Sequence, residues 1–219
     1  MFAGHIGAAM AIGRVERRVN LGVLVCAALL LDVLLWLFVL AGRESVVIPV
    51  NFAGTHQPEF VFPYSHGLLA AIAWSTLAGL TALRWYRLLQ AAKWRVAACI
   101  ALAVFSHWLL DALVHVPELP LAGEHSLKVG LGLWGSMPVA LAVESLITVL
   151  GLGLFLAGAS LTRGRRFGLA VLVIVTLVFT IFGMTVAPPP PSATAMAASS
   201  LVTIVVVCAL AGWLGKRAT

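Results

Sequence analysis

Charged residues are scarce in this chain of 219 residues: aspartate, glutamate, lysine and arginine make up 10% of it, against 62% hydrophobic residues. A soluble domain of this size cannot hide so much apolar surface, whereas a protein that crosses a membrane several times has no need to. The scarcity of charge therefore argues against an ordinary soluble enzyme and predicts an all-α, polytopic membrane protein.

Cysteine is also scarce. The three cysteines, Cys26, Cys99 and Cys208, all lie within apolar stretches and lack the close spacing of a metal-binding motif, so they are interpreted as small packing residues. Acidic residues are fewer than basic ones, which gives a net charge of +6. Because the basic residues stand in short clusters between apolar stretches, this charge indicates membrane topology and not a nucleic-acid partner.

Six apolar stretches are long enough to cross a bilayer, which requires about 20 helical residues. A shorter apolar segment, 2–13, precedes the first of them and is predicted to form a half-helix. A cleaved signal peptide is not expected, because no positive region precedes the first apolar stretch. The predicted spans are 21–41, 64–86, 96–115, 137–159, 167–186 and 196–214.

The basic residues predict which ends of the spans share a side of the membrane. Clusters of three, four, three and two fall on one side, so that side receives 12 of the 14 basic residues, and the other receives only Arg43 and Lys128. By the positive-inside rule both termini are cytoplasmic. The loops 42–63, 116–135 and 187–195 are then expected to face outward.

The ionisable residues within the membrane are confined to the first four spans, since none occurs between Arg166 and Lys216. Residues 1–160 are therefore predicted to form the N-terminal segment and a four-helix unit that carries the chemistry. Residues 161–219 are predicted to add a transmembrane hairpin with a packing role. Both parts belong to one integral membrane domain in this interpretation.

The stretch 106–115, SHWLLDALVH, lies at the end of the third span. His107, Asp111 and His115 recur at every fourth position, which aligns them on one face of an α-helix, about 6 Å apart along its axis. Ionisable groups in a membrane-spanning helix are costly, so they normally face the protein interior and mark a functional site. The alternative is a buried polar pair that only locks neighbouring helices together.

Further histidines and carboxylates are predicted at a similar depth. Counting about 1.5 Å per residue from the basic clusters places Asp32, His66 and His107 roughly 18 to 27 Å from the cytoplasmic side. His5 approaches the same group if segment 2–13 folds back into the bundle, although an interfacial tail fits the sequence equally well. Imidazoles and carboxylates suit a divalent cation, Zn²⁺ first, with Mn²⁺ or Fe²⁺ as alternatives, and one or two ions. The predicted ligands are His5, Asp32, His66, His107 and Asp111.

Four short motifs follow one another in the first half of the chain: Gly4-His5, Asp32, Tyr64-Ser65-His66-Gly67, and Ser106-His107 with Asp111. This order resembles the membrane-bound metal-dependent hydrolases of the YdjM-like family, over about residues 2–115. The resemblance implies a polytopic protein of the bacterial inner membrane whose histidines and aspartates bind metal for hydrolysis. The chain departs from the family where Val33-Leu34 follow Asp32 in place of an Asp-x-Asp motif, and where Pro63-Tyr64 replace a basic His-Arg pair.

The expected activity is hydrolysis of a lipid or a lipid-linked ester or phosphoester in the outer half of the bilayer. Glu144 or Glu59 is the predicted general base, with a solvated loop residue as the alternative interpretation of Glu59. His115, Lys128 and Trp134 are predicted to contact the substrate headgroup, with an interfacial aromatic anchor as the alternative role of Trp134.

The same residues also fit a proton- or cation-coupled transporter, since carboxylate–histidine chains inside membranes serve pumps as well as enzymes. The cytoplasmic half of the spans offers no matching chain, which disfavours that alternative. Haem ligation by His66 and His107 is a third possibility, disfavoured by the neighbouring carboxylates. A purely structural scaffold would bind no metal. The sequence does not predict an oligomeric state.

Overall fold

Helices form nearly all of the regular structure in the computed structural model, which describes residues 1–216. Arg217, part of the last predicted basic cluster, lies outside the described residues. The helices, in chain order, are α1 Phe2–Val15, α2 Leu21–Ala28, α3 Leu30–Leu40, α4 Phe52–Thr55, α5 Leu68–Trp85, α6 Ala92–Val114, α7 Met137–Gly158, α8 Arg163–Thr185 and α9 Ala193–Leu214. Short 3₁₀ helices cover Arg87–Leu89 and Leu133–Ser136.

Five of the described helices, α5 to α9, are long and apolar enough to cross a membrane. The pair α2 and α3 becomes a sixth candidate when it is counted as one broken span. These elements confirm the predicted all-α class and the existence of the predicted apolar helices, with boundaries that differ by a few residues. They agree with a membrane protein in length and composition.

The first predicted span, 21–41, is not one straight helix. It bends by 54° between α2 and α3, at Leu29, which has φ −101° and ψ 8°. Neither proline nor glycine occurs at this break, so intrinsic backbone preference does not explain it. Broken helices inside membrane proteins are tolerated where the freed backbone groups are buried in protein and find new partners.

The short helix α1 packs against α7 at a point where both chains carry glycine. A Cβ added to Gly7 would lie 2.6 Å from the Cα of Thr148, and one added to Gly151 would collide with the backbone of Gly7. Small residues permit such close helix contacts in membranes. The backbone N–H of Gly4 donates to Glu144 Oε1 over 3.2 Å, which satisfies a free donor of the first turn of α1. The predicted half-helix is therefore seated inside the bundle.

Two small hairpins form the loops 42–63 and 116–135. Strand β1 (Ser45–Val47) pairs antiparallel with β2 (Glu59–Val61), and β3 (Leu119–Pro120) pairs antiparallel with β4 (Lys128–Val129). The Gln57 side chain in the first loop donates to the carbonyl of Trp134 after the second hairpin. The two loops therefore meet at the same end of the bundle, which we call the hairpin end.

The opposite end, here called the basic end, is closed around a buried acid. Glu16 is 1% exposed and lies 3.1 Å from Arg18 Nη1 and 3.4 Å from Arg95 Nε. A second nitrogen of Arg95, Nη2, donates to the carbonyl of Val15, the last residue of α1. These contacts fix the end of α1 to the start of α6, and both arginines keep their charged groups partly exposed.

Helix α9 packs against α2 as well as α8. A Cβ on Gly22 would lie 2.5 Å from the carbonyl oxygen of Cys208, and Asn20 donates a side-chain hydrogen bond to the carbonyl of Gly212. The last helix therefore shares a close backbone contact with the first span. The division into a unit of residues 1–160 and a hairpin of residues 161–219 stays a prediction.

Candidate metal centre

Helix α6 supplies the first two members of a cluster of histidines and aspartates. His107 Nε2 lies 3.0 Å from Asp111 Oδ2 one turn later, as their spacing predicts. His115, which directly follows α6, places Nε2 4.0 Å from Asp111 Oδ1. The predicted face of α6 therefore exists, and it points into the bundle, where all three side chains are buried.

The break between α2 and α3 frees a backbone carbonyl that bonds to a histidine of this cluster. In a continuous helix the carbonyl of Ala28 would accept from the N–H of Asp32. At the break it accepts instead from His107 Nδ1, over 2.6 Å. Asp32 then lies in the first turn of α3, with Oδ1 3.7 Å from the Nε2 atoms of both His107 and His66. The bend thus orients His107 and positions Asp32 together.

His66 lies in the turn that precedes α5. Its Nε2 faces His107 Nε2 at 3.2 Å and Asp111 Oδ2 at 3.5 Å. Its Nδ1 faces the hydroxyl of Ser65 at 2.8 Å, and that hydroxyl donates to Glu44 Oε2 over 2.7 Å. Burial raises the pKa of the Glu44 carboxyl, while the hydrogen bonds that it accepts from Ser65 and from the Tyr64 backbone oppose the shift.

Helix α1 brings His5 into the same cluster. The ring of His5 stacks on the ring of His107, with centroids 3.7 Å apart and planes within 7° of parallel. His5 Nε2 lies 3.2 Å from Asp111 Oδ1. The backbone nitrogen of Met1 also lies near that oxygen, at 3.5 Å. The sequence left open whether segment 2–13 reaches the bundle, and in the structure it does.

The donor set fits a metal ion. Two triplets, His5–Asp32–His107 and His66–His107–Asp111, each present ligand atoms that all lie within 4.8 Å of one another. Both ring nitrogens of His5 and Oδ1 of Asp111 are buried without a hydrogen-bond partner among the described residues, because the 3.2 Å contact between them is poorly aligned. Buried polar atoms are normally satisfied, so these atoms indicate a missing partner.

No lysine or arginine within residues 1–216 forms an ion pair with Asp32 or Asp111; the recorded partners are histidines and, for Asp111, the Met1 nitrogen. Two carboxylates in an apolar bundle are costly without compensating positive charge. A divalent cation would supply that charge. The buried His and Asp groups can therefore hold a metal ion.

A small cavity of about 80 Å³ adjoins the cluster on the side of the hairpin end. Asp32 borders it with a side chain that is 22% exposed, whereas the side chains of the other four predicted ligands are at most 3% exposed. Phe60, Phe62 and Trp134 provide apolar walls. At that volume the cavity is large enough to hold water.

The remaining predicted residues are placed unequally. Trp134 packs on His115, with ring centroids 4.1 Å apart, and both line the cavity. Glu144 is buried but accepts from the backbone of α1 and does not border the cavity. Glu59 and Lys128 are exposed on β2 and β4, away from the cavity lining. Their roles as base or headgroup contact stay predictions.

Three functional candidates went unrecognised in the sequence. Glu44 and Ser65 reach His66, and Glu118 Oε1 lies 2.5 Å from His115 Nδ1. Each has a sequence signal in retrospect. Ser65 directly precedes a predicted ligand, Glu118 follows His115 by three residues, and Glu44 stands at the start of a loop in a chain with few acids.

Comparison with known proteins found no matching family model, no matching curated protein and no matching solved structure. The function is therefore argued from the geometry of the cluster.

Proposed function

We propose that the chain is a membrane-embedded hydrolase that uses one divalent cation, Zn²⁺ in first place, to cleave an ester or phosphoester of a membrane lipid or a lipid-linked molecule. One observation carries the proposal. His66 and His107 each have Nδ1 occupied by an acceptor outside the cluster, and both direct Nε2 toward the carboxylates. Second-sphere bonds of this kind orient metal-binding histidines.

A single ion is favoured over two. Both candidate triplets include His107, and a neutral imidazole has only one lone pair on Nε2 to give to a metal. One ion near His107 can draw its other ligands from His5, His66, Asp32 and Asp111. Imidazole nitrogen with carboxylate oxygen is a ligand set that suits Zn²⁺, while Mn²⁺ and Fe²⁺ accept similar donors.

A divalent cation held by these ligands supplies Lewis acidity for hydrolysis. His115 supplies the proton acceptor in this proposal. Its Nδ1–H donates to Glu118, so the free lone pair of the ring is on Nε2. His115 also lines the small cavity beside the cluster. This arrangement, a base oriented by a carboxylate, is typical of catalytic histidines. It makes His115 a better candidate for the base than Glu144, which is engaged by Gly4.

The basic end faces the cytoplasm in our proposal, by the positive-inside rule, and the cavity then opens toward the outer face of a bacterial inner membrane. The resemblance to YdjM-like hydrolases supports the same location and activity. A substrate anchored in the bilayer can bring its headgroup to this depth beside the hairpin end, where Phe60 and Trp134 offer an apolar border.

The alternative of a proton- or cation-coupled transporter is disfavoured by the layer between the cluster and the basic end. Along α1, α2 and α6 this layer consists of buried apolar side chains. Along these three helices an ion would meet no charged side chain between the cluster and the basic end, and ions in apolar surroundings are very costly. The layer includes Met10, Leu24, Val25, Ile100 and Ala103.

The test has two stages. Elemental analysis of the purified protein should find one divalent ion per chain, lost in His107→Ala and kept in His125→Ala, a matched change of an exposed loop histidine. The wild type should then release product from a panel of phospholipids and polyprenyl phosphates in mixed micelles, while His107→Ala does not. A bound metal without any product, together with proton or cation flux in proteoliposomes, would replace the hydrolase with the transporter.

A further inference from the structure

Outside the five candidate ligands, the most complete buried polar network leads away from His66. Glu44, Ser65 and His66 are all buried, at 5%, 0% and 3% exposure. Glu44 Oε1 accepts from the backbone N–H groups of Tyr64 and Ser65, at 2.8 and 2.9 Å. Its other oxygen, Oε2, accepts from the Ser65 hydroxyl. The carboxylate therefore receives three hydrogen bonds from two consecutive residues that immediately precede the histidine.

We propose that Glu44 and Ser65 form a relay that decides which nitrogen of His66 is free to bind the metal. This inference rests on the proposed metal centre and deepens it. Glu44 touches neither the candidate ion nor the cavity, so it is a positioning residue. Its action passes through the Ser65 hydroxyl to His66 Nδ1, and from there to Nε2, the atom that faces His107 and Asp111.

The direction of the hydrogen bonds follows from what each group does in the structure. Glu44 accepts through both carboxyl oxygens, so the Ser65 hydroxyl uses its single hydrogen toward Glu44. The hydroxyl oxygen can then only accept from His66, which requires the hydrogen of the imidazole to be on Nδ1. Nε2 is left with its lone pair, directed at the cluster. Through these two hydrogen bonds, Glu44 sets the tautomer of His66.

The surrounding structure holds this relay in place. Gly42, with φ +67°, turns the chain after α3, and the backbone N–H of Glu44 donates to the carbonyl of Phe38 at the end of that helix. Trp74 Nε1 donates to the carbonyl of Tyr64 over 2.8 Å, and the N–H of His66 donates to the carbonyl of Phe62 over 3.0 Å. Hydrogen bonds therefore hold the backbone at Tyr64 and at His66, the residues before and after Ser65. Such support is what a site needs to keep a ligand oriented.

The competing explanation is that Glu44 only closes the loop through the two backbone N–H groups. Ser65→Ala distinguishes the relay from this explanation. It removes the hydroxyl that connects Glu44 to His66 and keeps both hydrogen bonds from backbone N–H groups to Glu44. Ser75→Ala is the matched control: Ser75 is also buried and its hydroxyl bonds only to the carbonyl of Ala71 within α5. Glu44→Gln tests the direction of the relay, since its amide can donate to Ser65 and reverse the chain. Glu124→Gln, on the exposed part of the 116–135 loop, is its control.

The measurements are Co²⁺ affinity by competition with a fluorescent chelator, the visible absorption spectrum of bound Co²⁺, and the melting temperature without metal. We expect Ser65→Ala and Glu44→Gln to weaken Co²⁺ binding by about 10- to 100-fold, as other second-sphere changes do, and to alter the spectrum. The double variant, Ser65→Ala with Glu44→Gln, should bind Co²⁺ no more weakly than the weaker-binding single variant, because Glu44 and Ser65 act as one unit. Both controls should match the wild type.

Wild-type affinity and spectrum in Ser65→Ala would overturn the relay and leave the metal centre intact. The relay would also be overturned if Ser65→Ala and Ser75→Ala both lost Co²⁺ affinity and both showed the same fall in the melting temperature of the metal-free protein. A wild-type protein that binds no Co²⁺ would instead overturn the proposed metal centre, and the relay with it.

Discussion

The contact between α1 and α7 offers the sharpest test of how the cluster is assembled, because His5 reaches the cluster only through the seating of α1. Gly151→Ala would place a Cβ against the backbone of Gly7, where no flexible side chain can yield. Gly153, two residues further along α7, has open space at its Cβ position. Gly153→Ala therefore makes the same chemical change in the same helix without the collision.

The magnitude follows from the distances. A Cβ added at Gly151 would lie 2.6 Å from the carbonyl carbon of Gly7 and closer still to its oxygen, well inside an ordinary contact of about 3.5 Å, so α1 must move by roughly 1 Å to admit a methyl group. Overpacking of this kind costs about 1–3 kcal/mol. If α1 moves, His5 moves with it, and metal ligands tolerate only about 0.2 Å of displacement. At about 1.4 kcal/mol per factor of ten, a loss of this size weakens metal binding roughly 5- to 150-fold.

The assay is Zn²⁺ affinity by chelator competition in detergent, together with thermal unfolding of the metal-free protein. Gly151→Ala should weaken Zn²⁺ binding and lower the melting temperature. Gly153→Ala should keep the wild-type affinity and unfold at the same or a slightly higher temperature, because replacing a mid-helix glycine by alanine favours the helix by about 0.5–1 kcal/mol. Equal affinities and equal melting temperatures in the two variants would refute the packing of α1 against α7.

Three further predictions follow from the same geometry. Asp111→Asn should abolish detectable metal, measured by elemental analysis, whereas Glu124→Gln on the exposed loop should keep it; metal in both would contradict the ligand set. Chelation of the wild type should lower its melting temperature by about 5–10 °C, since a ligand at 100 times its Kd stabilises by about 2.7 kcal/mol, and His107→Ala should show no such shift. Glu144→Leu should destabilise by about 1–3 kcal/mol by leaving the Gly4 N–H unpaired, and Glu144→Gln, which keeps an acceptor, should cost less in the same unfolding assay.

The long apolar helices and one face of the site could be predicted because both follow local rules. Hydrophobic length identifies a membrane-spanning helix whatever surrounds it, and the spacing of His107 and Asp111 on a single helix fixes their relation. The common depth of Asp32 and His66 followed from counting along helices. These inferences require no knowledge of how one helix packs on another.

The parts that could not be predicted depend on contacts between distant segments. Nothing in the apolar run around Leu29 indicates a break, and His107, the new partner of the Ala28 carbonyl, lies on a distant segment. The burial of Glu44 against Ser65 likewise depends on a contact between segments 21 residues apart. The sequence predicts Glu144 or Glu59 as the base, but neither borders the cavity, whereas His115 does and is paired with Glu118 of the loop that follows α6.

The packing of α1 against α7 also sets the order in which the structure can form during synthesis. Gly4 and its partner Glu144 are 140 residues apart, so the first helix leaves the ribosome long before α7 exists to receive it. The contact between α1 and α7 can therefore form only after helices α2 to α6 have been made. A chain that stops before α7 would carry every candidate ligand and still lack the helix against which α1 packs, so His5 would lose the support that holds it beside His107 and Asp111.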